Sequence, residues 1–113
     1  MANSKEVTLY YYRLIREDKT YTVDCIERQA IEKPKSYMVT HVFRDNTVYN
    51  FRLLKTDVGR VSGFSDNQVI LTEPDEKKAQ EIFREHYLRE GNRIKEELAK
   101  NKAILDTIDK MTE

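Results

Sequence analysis

Tryptophan is absent from this 113-residue chain, cysteine occurs once, proline twice and glycine three times. The single Cys25 excludes an internal disulfide framework and fits a reducing compartment. An excess of either charge is also missing, because Lys plus Arg and Asp plus Glu number 20 each. A chain without a global field has little to hold a polyanion, so no duplex nucleic acid is expected as a partner. No window approaches the roughly eighteen consecutive apolar residues of a membrane span, and Met1 to Lys5 lacks the apolar stretch of a secretory signal. The expected location is the cytoplasm, with no membrane association. Catalytic signatures are missing too. His41, His86 and Cys25 fall in separate elements, with no nucleophile elbow, zinc spacing or dinucleotide fingerprint beside any of them. The acidic residues are dispersed rather than paired. The chain therefore reads as a protein that is not an enzyme and uses no cofactor or metal.

What is present is a clustered apolar pattern in a polar chain, 39% hydrophobic against 35% charged. The length fits a single domain, residues 1–113, and a monomer of this size buries only about two-thirds of the surface its unfolded chain exposes. Part of the stability is accordingly expected from a partner chain.

The pattern predicts an α+β fold, an antiparallel sheet over about residues 7–72 followed by a helix or helix pair over about 75–110. Val7 to Ile15 is a β-branched and aromatic run ended by the charged turn Arg16-Glu17-Asp18-Lys19. From Thr20 the chain alternates, with Tyr21, Val23 and Cys25 on one face, until Ile26 breaks the alternation and suggests a bulge or a change of buried face. Pro34 punctuates, and Tyr37 to Phe43 and Thr47 to Leu54 flank the turn Arg44-Asp45-Asn46 as a hairpin. Lys55 to Asn67 reads as a loop with a short strand at Val58 to Val61, and Gln68 to Thr72 as the last strand. Thr72-Glu73-Pro74-Asp75 then offers a capping residue, a proline and acidic side chains for a helix start.

Along that helix Ala79, Ile82, Phe83 and His86 form one stripe. Gly91, Leu98 and Leu105 alternate with Tyr87, Ile94, Asn101 and Ile108 at coiled-coil spacing, which predicts a homo-oligomer, dimer or higher. Gly91-Asn92 is placed to kink or split the helix.

Binding chemistry is suggested by a surplus of Tyr, Phe and Arg that includes Tyr10, Tyr11, Tyr12 and Phe64. Aromatic faces stack bases and guanidinium forks grip phosphates. Three consecutive tyrosines cannot all face one core, so at least one ring is expected to point elsewhere. Phe83, Tyr87, Asn92 and Arg93 form the candidate pocket wall on the helix. Arg60, in the loop Gly59-Arg60-Val61-Ser62-Gly63, is a candidate anion contact beside glycine-bounded backbone N–H groups. These five residues are the candidate ligand-binding set.

Three stretches carry a resemblance: Glu32-Lys33-Pro34-Lys35-Ser36-Tyr37, Lys55-Thr56-Asp57-Val58-Gly59-Arg60-Val61, and Leu71 to Phe83 leading into a charged helix. Together they resemble small phage and prophage proteins from Gram-positive hosts. In length and layout the chain is similar to the phage-encoded anti-Thoeris sponges, oligomers that sequester cyclic ADP-ribose signals without cleaving them. The resemblance implies a viral anti-defence protein in the host cell cytoplasm, with a small phosphorylated nucleotide as its partner. It carries over no binding residue. The alternative from the residues alone is a structural or protein-interaction module that oligomerises through its C-terminal helix, with no small-molecule ligand.

Overall fold

The computed structural model describes residues 5–63 and 67–111, and Phe64 lies outside them. Among the described residues six strands form one antiparallel sheet, followed by one long helix, the expected α+β layout. The strands are β1 (Lys5–Glu17), β2 (Thr20–Glu32), β3 (Ser36–Val42), β4 (Val48–Leu54), β5 (Val61–Ser62) and β6 (Gln68–Leu71). The helix α1 spans Glu76–Met111. The sheet order is β4-β3-β2-β1-β6-β5, which puts the last strand beside the first.

The chain divides into two compact units, residues 1–83 and 84–113. The first begins with a hairpin of two 13-residue strands whose register runs unbroken from Lys5↔Glu32 to Glu17↔Thr20. Asp18 supplies the left-handed residue of its turn at φ 59°, and the Thr20 hydroxyl donates to the Glu17 carbonyl at 2.9 Å. The suggested bulge at Ile26 is absent: Tyr11 pairs with Ile26 and Tyr12 with Cys25 in continuous register. The other expectation holds, a change of buried face: Val23 packs with the cluster around Tyr12, whereas Ile26 and Ala30 pack with the cluster around Leu9, and Cys25 and Glu27 between them are exposed.

One face collects Leu9, Tyr11, Ala30, Tyr37, Val39, Leu53 and Ile70, with Val7, Ile26, Phe51 and Val58 packed around them. Ile70 of β6 and Leu53 of β4 stand at distant places in the strand order yet share this cluster, so the sheet curls around it. The chain after β4 helps close the curl. A 3-10 turn at Lys55–Asp57 follows β4, and Gly59, left-handed at φ 81°, donates its N–H to the Ile70 carbonyl at 2.8 Å. Val58 therefore packs beneath the sheet, and the short strand expected at Val58 to Val61 reduces to Val61–Ser62.

The opposite face is covered by the start of α1. Tyr12, Val69, Leu71, Ala79 and Phe83 are buried together, with Tyr10, Leu14, Val23, Val61 and Ile82 around them. Full burial of an aromatic ring such as Phe83 contributes about 1.5–3 kcal/mol. The helix is capped by Asp75, whose Oδ1 accepts the Lys78 backbone N–H at 3.0 Å, so the cap falls on Asp75 rather than Thr72. Pro74 precedes that cap. No break in α1 occurs at Gly91-Asn92, since helix continues through both residues. Among the described residues no helix is long and apolar enough to cross a membrane.

Candidate functional site

The three consecutive tyrosines divide between the two buried faces. Tyr11 is 1% exposed in the curl, Tyr12 is 4% exposed beneath α1, and Tyr10 is half-buried beside Tyr12. A sheet packed on both sides thus accommodates all three without a ligand. The five candidate ligand-binding residues divide between the two units. Phe83 is buried against Ala79, Val69 and Leu71, which leaves no ring face for a base. Arg60, an exposed side chain, is paired with Asp57 at 2.9 Å, and Gly59 donates its N–H to the Ile70 carbonyl, so these two groups of the expected anion cradle have partners within the protein. In the helical unit Arg93 is paired with Glu90 at 2.9 Å, and the His86 and Tyr87 rings meet edge to face at 5.0 Å. Asn92 is exposed.

A different arginine stands among aromatic rings. Arg28, on the curled face of β2, lays its guanidinium over Tyr11 at 4.2 Å and lies 6.0 Å from the Phe51 centroid. Its Nε and the Tyr11 hydroxyl are both buried without a hydrogen-bond partner. Burial pushes the Tyr11 phenol above its ordinary pKa, and the neighbouring guanidinium opposes that rise. Tyr11 and Arg28 are diagonal neighbours in the β1–β2 register, where Arg28 stands opposite Leu9 and Tyr11 opposite Ile26, and Phe51 comes from β4, two strands away from β2. Position 28 carries no periodic or motif signal that would have marked it.

The remaining polar chemistry is structural. Arg13 grips Asp24 across β1 and β2 through two bonds, 2.9 Å from Nε and 2.6 Å from Nη2. This fork holds the Asp24 carboxyl below its usual range. Lys55 Nζ reaches Glu32 at 2.7 Å and lies 5.3 Å from the Tyr37 ring. The Cys25 thiol is pushed up by desolvation and by the carboxylates of Glu27, Asp24 and Glu76, against the opposing effect of a hydrogen bond with Tyr12, the opposite of a nucleophile's environment. No group of three or more His, Cys, Asp or Glu side chains that could hold a metal ion occurs among the described residues. A cleft of about 270 Å³ lies between Val58, Gly59, Leu71 and Lys78, but Glu73 and the capping Asp75 give it a mixed polar lining.

The helical unit presents a long exposed apolar row. Ile94, Leu98, Leu105 and Ile108 lie along one side of α1 with roughly half or more of each residue exposed, from 49% for Ile108 to 66% for Leu98. Ile104 and Met111 widen this stripe, whereas Asn92, Glu96, Lys100, Asp106 and Lys110 occupy the other side. A shallow groove lined by Ile94, Leu98, Asn101 and Ile104 runs along it. Comparison with protein-family models, curated proteins and solved structures finds no match for this chain.

Proposed function

We propose that this protein is an assembly module: a curled β-sheet unit joined to a helix that docks its apolar side onto other helices. The supporting observation is the exposed row Ile94, Leu98, Leu105 and Ile108 at heptad spacing on a continuous helix. A helix polar on all sides needs no partner, but this one leaves a contiguous apolar stripe in water, where association removes it at about 25 cal/mol per Å² of apolar area. No catalytic step enters this reading. Sedimentation of the full chain at micromolar concentration is expected to give a mass above one chain. Replacing Leu98 and Leu105 by Glu should return it to monomer, and a monomeric unsubstituted protein would overturn the reading.

A second reading is the capture of a cyclic nucleotide or cyclic ADP-ribose signal, as in the sponges the chain resembles. Arg28 favours it, being a guanidinium stacked on Tyr11 with no ion-pair partner among the described residues. A thermal-shift panel of such nucleotides tests it: selective stabilisation that disappears in Arg28→Met supports capture, and no shift with any nucleotide dismisses it.

A further inference from the structure

The apolar side of α1 has an order finer than a stripe. Residues 94, 98, 101, 105 and 108 are separated by steps of four and three, which makes Leu98 and Leu105 a positions and Ile94, Asn101 and Ile108 d positions of a heptad. In a parallel two-stranded coil a d side chain points straight at the facing helix, a direction that branching at Cβ resists. Leucine at a with isoleucine at d therefore shifts the preference from two strands to larger bundles. The flanks agree. Ile104 and Met111 occupy g positions and are 48% and 78% exposed. A two-stranded coil leaves g residues at its rim, whereas a four-stranded bundle draws them into the contact between neighbours.

Charge fixes the direction. The g positions also hold Glu90 and Glu97, and the e positions hold Lys95 and Lys102. In a parallel, in-register bundle each g residue faces the e residue five positions on in the next copy, so Glu90 meets Lys95 and Glu97 meets Lys102. Antiparallel packing sets e against e and g against g, placing lysines near lysines and glutamates near glutamates. Glu90 also bonds Arg93 of its own helix, but both of those contacts use Oε2, so its other carboxylate oxygen is not used by Arg93. Asn101 fixes the register: with the copies aligned, its amides share one layer and can bond one another, whereas any shift buries an amide against Leu or Ile.

We propose that four copies of this chain associate through residues 87–108 as a parallel, in-register bundle. This rests on the assembly reading and specifies its partner as the chain itself. The test combines sedimentation equilibrium of the full chain with distances between spin labels at Lys110→Cys in a Cys25→Ser background. Position 110 faces away from the seam, and the labelled variant is used only with its mass matched to the unsubstituted protein. Four chain masses with every label pair separated by no more than the width of a bundle is the expected result. A dimer or trimer that Leu98→Glu with Leu105→Glu dissociates would overturn the four-fold inference and leave the assembly reading standing. Label distances comparable to the length of the seam, about 30 Å for twenty helical residues, would overturn the parallel arrangement. A monomer would remove both.

Discussion

The guanidinium of Arg28 rests 4.2 Å from the centre of the Tyr11 ring, inside the curl of the sheet and without a carboxylate partner among the described residues. The attraction is between a cation and an aromatic face, worth about 0.5–2 kcal/mol according to how far the pair is desolvated. It does not require the Tyr11 hydroxyl, which is buried without a hydrogen-bond partner. Tyr11→Phe keeps the ring and the stacked cation while removing a polar atom left unsatisfied. Urea denaturation is expected to show a change within about 1 kcal/mol, neutral or stabilising. A loss of more than about 2 kcal/mol would mean that the hydroxyl has a partner in solution.

Phe83 belongs to the core beneath the sheet, 5% exposed beside Ala79 and Val69. Phe83→Ala should therefore destabilise the protein by about 3–5 kcal/mol, through lost burial and the cavity left behind. Arg93→Ala, which breaks an exposed pair with Glu90, should change stability by less than about 1 kcal/mol. Equal effects of the two in thermal unfolding would contradict the buried placement of Phe83.

Asp75 caps α1 by accepting the Lys78 N–H. Asp75→Ala should cost about 0.5–2 kcal/mol, and Asp75→Asn or Asp75→Ser should recover most of it, because each restores an acceptor. Thr72→Ala is expected to leave stability nearly unchanged. The comparison is made by chemical denaturation followed by circular dichroism.

The Arg13 fork lowers the folded-state pKa of Asp24, and Lys55 does the same for Glu32. A depressed carboxyl stabilises the fold above its unfolded pKa and loses that contribution as pH falls through the folded value. The melting temperature should accordingly hold from neutral pH into the weakly acidic range, then fall below the ordinary carboxyl range of about pH 4. Both pairs are about one-third exposed or more, so screening keeps each contribution small. Asp24→Asn should flatten part of the acid limb, and an unchanged limb would remove the Arg13 pair from the acid response.

Local chemistry made much of this architecture legible. The run Val7 to Ile15, the charged turn after it, and the Arg44-Asp45-Asn46 corner correspond to real hairpins, the last with Asn46 left-handed at φ 68° and Asp45 Oδ1 accepting the Thr47 N–H at 3.0 Å. Strand and turn preferences act over a few residues, so a short window contains them. The helix start was legible within a few residues, but Thr72 and Asp75 are both competent caps, and the path of the backbone after β6 selected Asp75. At Ile26 the broken alternation left a bulge or a change of buried face open, and packing decided for the change of face, with Val23 on one side of the sheet and Ile26 and Ala30 on the other.

The candidate site was less legible, since a ring or a guanidinium has the same composition whether it fills a core or meets a ligand. Phe83 went to the core, Arg60 and Arg93 to neighbouring carboxylates, and Arg28 to a stack that no sequence pattern marks. By itself the sequence determined the α+β order and the heptad spacing of the exposed apolar side of α1, because each depends on residues near one another along the chain, whereas the break expected at Gly91-Asn92 did not form. Only the tertiary structure decided which aromatics are buried and which cation joins them. The hairpin register makes Arg28 and Tyr11 diagonal neighbours, but the curl that brings Leu53 of β4 and Ile70 of β6 into one cluster around Tyr11 is made by contacts between strands far apart in sequence, whose relative positions are fixed by packing rather than by local preference.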